Sequence, residues 1–280
     1  DRNSLAGVVR AYAAARDVGF KLIVGTEITP DDAPPVVLWA TDRAAYGRLC
    51  RLITRGRRRV EKADCLLRLA DVAEHAEGLL AGVVPLDPGQ GWASHPCHSL
   101  HDKSECATAC ESLDDRCTCE PTLLAADGCP TRNPQAVPNE RITSMRLHGK
   151  QWHTLLDQYR EIFADRCYLL AELHRGPDDR RRLDWLLDVS QKSQLPLIAA
   201  GDVLYHVPER QALSDVLTAI RHGTTVAEAG ALLAANADRA LHSAKEMARR
   251  FAAAPGAVEG TGWLLPAARR GRLTEIRRLG

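Results

Sequence analysis

The chain has 280 residues, a formal net charge of +1 and 45% hydrophobic residues, enough for one large domain or two small ones with a sizeable core. A near-neutral balance supplies no whole-molecule field for nucleic acid, and no apolar run approaches the roughly 20 residues that cross a bilayer, so no membrane partner is expected. No secretory leader is recognisable and a cytoplasmic location is expected; Asp1 in place of an initiator Met leads us to expect a fragment.

Residues 4–18 read as a helix, with Ser4 as a cap and Leu5, Val8, Val9 and Tyr12 on one apolar face. Gly19 ends it. Lys21 to Thr29 is apolar and β-branched and predicts a strand, and Val36 to Ala40 predicts a second. Asp42 then caps a helix that carries Tyr46, Leu49, Cys50 and Ile53 on one side. Its basic end, Arg55 to Arg59, offers Arg57, Arg58 and Arg59 as candidate contacts to DNA phosphates, against the plainer reading of a solvated helix end. Leu66 to Ala76 predicts a short helix and Gly78 to Pro85 a third strand.

The periodicity breaks at residue 86. From there to 149 the chain is rich in Pro, Gly, Cys, His and Asp, and is expected to be an inserted loop, disordered in whole or part. Six of the nine cysteines lie in it. Cys106, Cys110, Cys117 and Cys119 are candidate zinc ligands, although they lack the paired C-x2-C spacing of zinc ribbons. Cys50, Cys65 and Cys167 sit singly in apolar patterns and are expected to be buried thiols.

Order resumes at Lys150. Trp152, Leu155, Leu156, Tyr159 and Phe163 form a helical stripe, Cys167 to Leu173 reads as a strand and Asp178 to Lys192 as a helix. The stretch Leu195 to His206 is the most informative: a short buried strand delivers Asp202, then His206, at its C-terminal end, where β/α architectures place their chemistry. Leu204 stands between them, where a further ligand would be expected. Beyond Pro208 the chain reads as helical, over 208–222, 225–235 and 243–253, and Pro255 to Gly280 gives no firm element.

Strands alternating with helices predict an α/β fold of parallel strands joined by right-handed crossovers. There is no GxGxxG after the first strand and no GxxxxGK[ST], which argues against dinucleotide and P-loop folds.

Several stretches carry a resemblance. Asp1 to Arg10, Ile23 to Glu27, Ala40 to Leu52, Ala200 to His206 and Asp215 to Arg221 resemble, in order and spacing, the polymerase and histidinol phosphatase (PHP) domain of bacterial C-family DNA polymerases. They are most like the error-prone members, relatives of the DNA polymerase III alpha subunit. The resemblance covers about 1–85 and 150–253. It implies a distorted, TIM-like β/α barrel, here divided into a first part (1–85), the Cys-rich insert (86–149), a second part (150–207) and a helical region leading toward the polymerase domains (208–280).

In that family the C-terminal rim of the barrel holds metal ions that activate water and clamp phosphate. Carried over residue by residue, the resemblance keeps Glu27 and Asp202, puts Arg2 at a ligand histidine, and puts Pro35 and Gly176 where histidines are expected, with His174 and His206 offset by two. The metal set that remains is Glu27, His174, Asp202 and His206, with Zn or Mn as the candidate ion. The favoured expectation is that Arg2 pairs with Glu27 or Asp202 and replaces the cation by charge, leaving a degenerate site and no catalytic residue. The Mg²⁺-dependent nucleotidyl transfer implied for the family belongs to a palm that this chain lacks. The expected role is therefore a structural part of an error-prone, translesion DNA polymerase. Its expected partners are the remaining polymerase domains, DNA through the full enzyme, and other translesion-synthesis proteins. Two alternatives stand beside it: a metal-dependent phosphoesterase acting alone, and a partner-binding module or pseudogene product.

Overall fold

The computed structural model describes residues 1–62, 64–85 and 149–270. The insert, with Cys106, Cys110, Cys117 and Cys119, therefore lies outside the described residues.

Helix α1 (Val8–Asp17) starts later than its sequence signal. Ser4 Oγ accepts from Ala6 N–H and Asp1 carboxylate from Gly7 N–H, so residues 4–7 form a capped turn instead of helix. Gly19, at φ +67°, lets Phe20 N–H reach back to the Ala15 carbonyl and closes the C-terminus. Strands β1 (Gly25–Ile28) and β2 (Val36–Ala40) follow, then α2 (Arg43–Arg58), capped by Asp42 through a 2.7 Å bond from Ala45 N–H. Next come α3 (Leu69–Glu74), β3 (Leu79–Val83), α4 (Gly149–Phe163), β4 (Cys167–Glu172), α5 (Asp179–Ser193) and β5 (Leu197–Ala200).

The five strands lie side by side in chain order. β3, β4 and β5 are parallel, but β1–β2 and β2–β3 are antiparallel, so the expectation of an all-parallel sheet is corrected. Only residues 29–35 connect β1 to β2, too few for a crossover, and the chain turns straight back on itself. The net effect is that β1, β3, β4 and β5 all point the same way and their C-terminal ends share one rim.

Alternation sorts the two faces. Val36, Leu38 and Ala40 of β2 are fully buried in the main core with Leu79, Ala81 and Val83, against Leu49 and Leu52 of α2 and Leu156, Tyr159 and Phe163 of α4. The opposite face is smaller and joins Val37 and Trp39 to Tyr168, Leu170 and Ile198. β3 and most of β4 are buried on both faces, as interior strands of a two-sided sheet should be.

Among the described residues the sheet is open, with β1 and β5 as its edges, so a closed barrel is not what these residues form. It is nonetheless strongly curled. Residues 1–3 run parallel along the outer side of β1, through Asn3 N–H to the Glu27 carbonyl and Glu27 N–H to the Asp1 carbonyl. From there the Arg2 side chain comes within 3.8 Å of Asp202, just beyond β5. In a flat sheet five strand spacings, about 24 Å, would separate the two. An arginine side chain cannot span that, so the rim must curve round on itself.

The helical region contains α6 (Gln211–Arg221), α7 (Ala244–Arg250) and α8 (Pro255–Arg270). The helix expected over 225–235 shrinks to a 3₁₀ turn at Gly230–Leu232, because Gly230 takes φ +48° and breaks the ladder. Conversely α8 forms where no element was expected. It packs along edge strand β5: Thr261 Oγ1 donates to the Ala199 carbonyl at 3.1 Å, and Gly260 approaches so closely that a Cβ would sit 2.9 Å from Ile198 Cγ2. Gly260, one of the glycines that hid the helix in the sequence, is what lets it lie close on the sheet edge.

Candidate site at the strand ends

Three carboxylates reach the common rim: Glu27 from β1, Glu172 from the end of β4, and Asp202 two residues past β5. Asp202 turns its backbone into the left-handed region at φ +37°, a conformation that Asp tolerates better than most residues. Guanidinium groups of Arg2, Arg239 and Arg182 act on these acids, Arg182 through its charge on Glu172. Arg2 Nε donates to Glu27 at 2.8 Å and its other end lies 3.8 Å from Asp202, while Arg239 Nη1 donates to Asp202 at 2.5 Å. Burial opposes the charge of Arg2, but Glu27 and then Asp202 outweigh it and raise its pKa.

Arg239 is placed by its own loop. The Arg239 carbonyl accepts from Leu204 and Tyr205 N–H, and Asn236 Nδ2 donates to the His174 carbonyl at 2.7 Å. The loop is thereby tied to the ends of both β5 and β4. Behind it the buried Asp238 carboxylate accepts both arms of the buried Arg250, whose Nη1 also reaches the Leu173 carbonyl at 3.2 Å.

Glu172, His174 and Asp202 offer one ligand atom each within 4.8 Å of one another, so these three are positioned to hold a metal ion. Desolvation, and then the Asp202 charge, pushes the Glu172 carboxyl up to about 7. Desolvation, with Arg239 next, lowers the His174 pKa, and its buried Nδ1 has no hydrogen-bond partner. Carboxylate–imidazole–carboxylate is a donor set suited to Zn²⁺ or Mn²⁺. The charge around it is not. Asp202 is already shared by two arginines and Arg182 acts on Glu172, so a dication would join three guanidinium groups and three carboxylates, one of the acids poised near neutrality. The donors fit a cation in type and not in electrostatics.

Of the residues singled out in the sequence, the fold brings His174 and Asp202 together and ties Glu27 to them through Arg2. His206 is exposed on the wall of the neighbouring cleft and outside the cluster. Sequence reading missed Glu172 and Arg239. Glu172 carried the same signal as Asp202, an acid closing an apolar β-run; Arg239 lies in a stretch with no period to place it. The basic run is largely spent inside the molecule. Arg57 donates to the Asn3 carbonyl at 2.9 Å, and Arg59 grips the buried Asp71, which Arg55 also approaches at 3.3 Å; Arg58 is exposed. Burial alone would raise the Asp71 carboxyl, but the Arg59 hydrogen bond leads the contacts that hold it below its ordinary value. Cys167 is buried, and Cys50 and Cys65 are half-buried free thiols.

The structure thus defines an α/β protein with an acid–arginine cluster at the shared ends of its strands. The sequence matches no protein-family model. It is 38% identical over 261 residues to the error-prone DNA polymerase of Rhodopirellula baltica, covering 93% of this chain and 18% of that protein. It is 34% identical over 258 residues to error-prone DNA polymerase 1 of Agrobacterium fabrum and 39% over 255 residues to the error-prone DNA polymerase of Aromatoleum aromaticum. The chain spans less than a fifth of the length of these curated relatives, which fits a fragment of such a polymerase. No helix among the described residues is long and apolar enough to cross a membrane.

Proposed function

We propose that this chain is part of an error-prone DNA polymerase and serves it as a PHP-type scaffold, with a strand-end site neutralised by arginine in place of metal. The observation that carries this reading is Asp202, held at once by Arg239 and Arg2, with Arg2 also closing on Glu27. A fixed guanidinium does for the clustered carboxylates what a bound cation would do, offsetting their repulsion, without a Lewis acid or a metal-bound water. DNA contact, Mg²⁺-dependent nucleotidyl transfer, translesion synthesis, repair and a cytoplasmic setting would then belong to the whole polymerase. The curated relatives' names and their much greater length support this.

The test is elemental analysis of the purified chain together with phosphate release from a generic phosphomonoester in added Mn²⁺ or Zn²⁺. We expect no metal that depends on His174 and no release above background. Metal bound through the insert would persist in His174→Ala and fall in Cys106→Ser.

A second reading, a metal-dependent phosphoesterase, is favoured by the 4.8 Å clustering of Glu172, His174 and Asp202. Stoichiometric metal lost in His174→Ala, with phosphate release lost alongside it, would establish it in place of the first.

A further inference from the structure

We infer that the outward face of α6 docks an acidic, amphipathic helix supplied by the rest of the polymerase; this deepens the scaffold reading above and rests on it. α6 is inverted relative to an ordinary surface helix. Ala219 is its one buried residue, while Leu213, Val216, Leu217 and Ile220 point outward with exposures of 49%, 43%, 54% and 70%. Their spacing, i, i+3, i+4 and i+7, makes a single apolar stripe. The stripe continues into a cleft of about 710 Å³, where Leu213 and Leu217 meet Leu204 and Leu232, themselves exposed. An exposed apolar stripe that opens into a cleft of mixed polar and apolar walls marks an interaction site.

Charge narrows the occupant. Arg210 and Arg221 stand at the two ends of the stripe and both line the cleft, where Asp215 is the one carboxylate among the lining residues. A second copy of α6 laid antiparallel would set Arg210 against Arg221, and laid parallel would set each against itself, so the face opposes its own copy. Single-stranded nucleic acid stacks best on broad exposed platforms, and Tyr205, the one Trp, Tyr or Phe among the lining residues, is buried, leaving the smaller imidazoles of His206 and His222 as the exposed rings. An amphipathic helix with an apolar stripe and acidic flanks satisfies both features. A source is at hand, since most of the length of the Rhodopirellula baltica relative lies outside the segment this chain matches.

The experiment replaces the matching segment of the full-length Rhodopirellula baltica polymerase with this chain, and introduces Leu217→Cys or Ile220→Cys both there and in the isolated chain. Maleimide labelling at each position is followed by peptide mass mapping, with Val18→Cys, exposed just after α1, as the reference. We expect labelling at 217 and 220 to slow at least tenfold in the chimera, with no change at 18. Arg210→Glu combined with Arg221→Glu should restore fast labelling. A chimera active in primer extension that labels as fast as the isolated chain overturns the docking face and leaves the scaffold reading standing; an inactive chimera with an active parent overturns both. Slowed labelling indifferent to the arginine changes refutes the acidic partner. Protection of the isolated chain that grows with its own concentration, or that requires added single-stranded DNA, refutes it in favour of a second copy or of nucleic acid.

Discussion

Arg239 holds the Asp202 segment twice: its carbonyl accepts from Leu204 and Tyr205 N–H, and its guanidinium donates to the Asp202 carboxylate at 2.5 Å. Backbone and side chain of one residue thus fix both the path of the chain after β5 and the acid that path presents. This double anchorage makes the rim a built feature rather than a chance meeting of surface charges.

Removing the acid should therefore be felt in stability. Asp202→Ala leaves Arg239 without its carboxylate and Arg2 with Glu27 alone. Breaking a buried pair costs several kcal/mol, but both arginines are partly exposed, so we expect about 1–2 kcal/mol. Urea denaturation should show this, and an Arg239→Met/Asp202→Ala cycle should show favourable coupling between the two. Additive effects in that cycle would remove the charge network from the account.

Glu172 supplies a pH signature. Its folded pKa, about 7, lies above its ordinary value of 4.5 because desolvation, and then Asp202, disfavour the anion. The folded state therefore binds the proton more tightly than the unfolded chain. The resulting stabilisation is complete below about pH 4.5 and is lost as pH rises through 7. His174 works the other way: its lowered pKa, caused first by desolvation, adds stability as pH rises toward and past 6.5. Stability profiles of wild type and Glu172→Gln should differ by a component that falls with pH across this window, on the order of 2 kcal/mol. Parallel profiles would show that Glu172 does not titrate there.

The basic run offers a contrast between neighbours. Arg59 and Arg58 are both exposed at the same helix end, but Arg59 donates to both oxygens of the buried Asp71. Arg59→Ala should lower the melting temperature and Arg58→Ala should not. Were the run chiefly a DNA contact, both changes would weaken binding of a duplex oligonucleotide and neither would alter the melting curve.

How much of this was legible depends on how local each signal is. β2 is bounded by Val36 and Ala40 in both sequence and structure, because a β-branched run between Pro35 and the Asp42 cap has no competing period. The end of β5 likewise announced Asp202, whereas Glu27 was reached through the family resemblance. The antiparallel return of β2 was available in the shortness of residues 29–35, but the general alternation of strands and helices obscured it. Arg239 could not be placed, since its position depends on hydrogen bonds to Leu204 and Tyr205, far away in sequence. The partnership of Arg2 with Asp202 needs the curl of the whole sheet, a property that no single segment encodes.

The Gly-rich C-terminal helix shows the same gap between local propensity and tertiary use, and it can be tested directly. A Cβ at Gly260 would lie 2.9 Å from Ile198 Cγ2 and 3.2 Å from the Leu197 carbonyl. Ile198 is β-branched and packed in the second core cluster, and the carbonyl is backbone, so neither yields easily. Elsewhere in a helix Gly→Ala would stabilise by roughly 1 kcal/mol. Here we expect Gly260→Ala to destabilise by about 1–3 kcal/mol, as overpacking does, by lifting α8 off the edge of β5. Gly256, which has open space around its Cβ position on the same helix, is the control, and Gly256→Ala should be neutral or stabilising. Hydrogen exchange should report the mechanism: in Gly260→Ala the β5 amides lose protection ahead of those of β2 and β3. Equal protection across the sheet would mean that α8 is not what shields its edge.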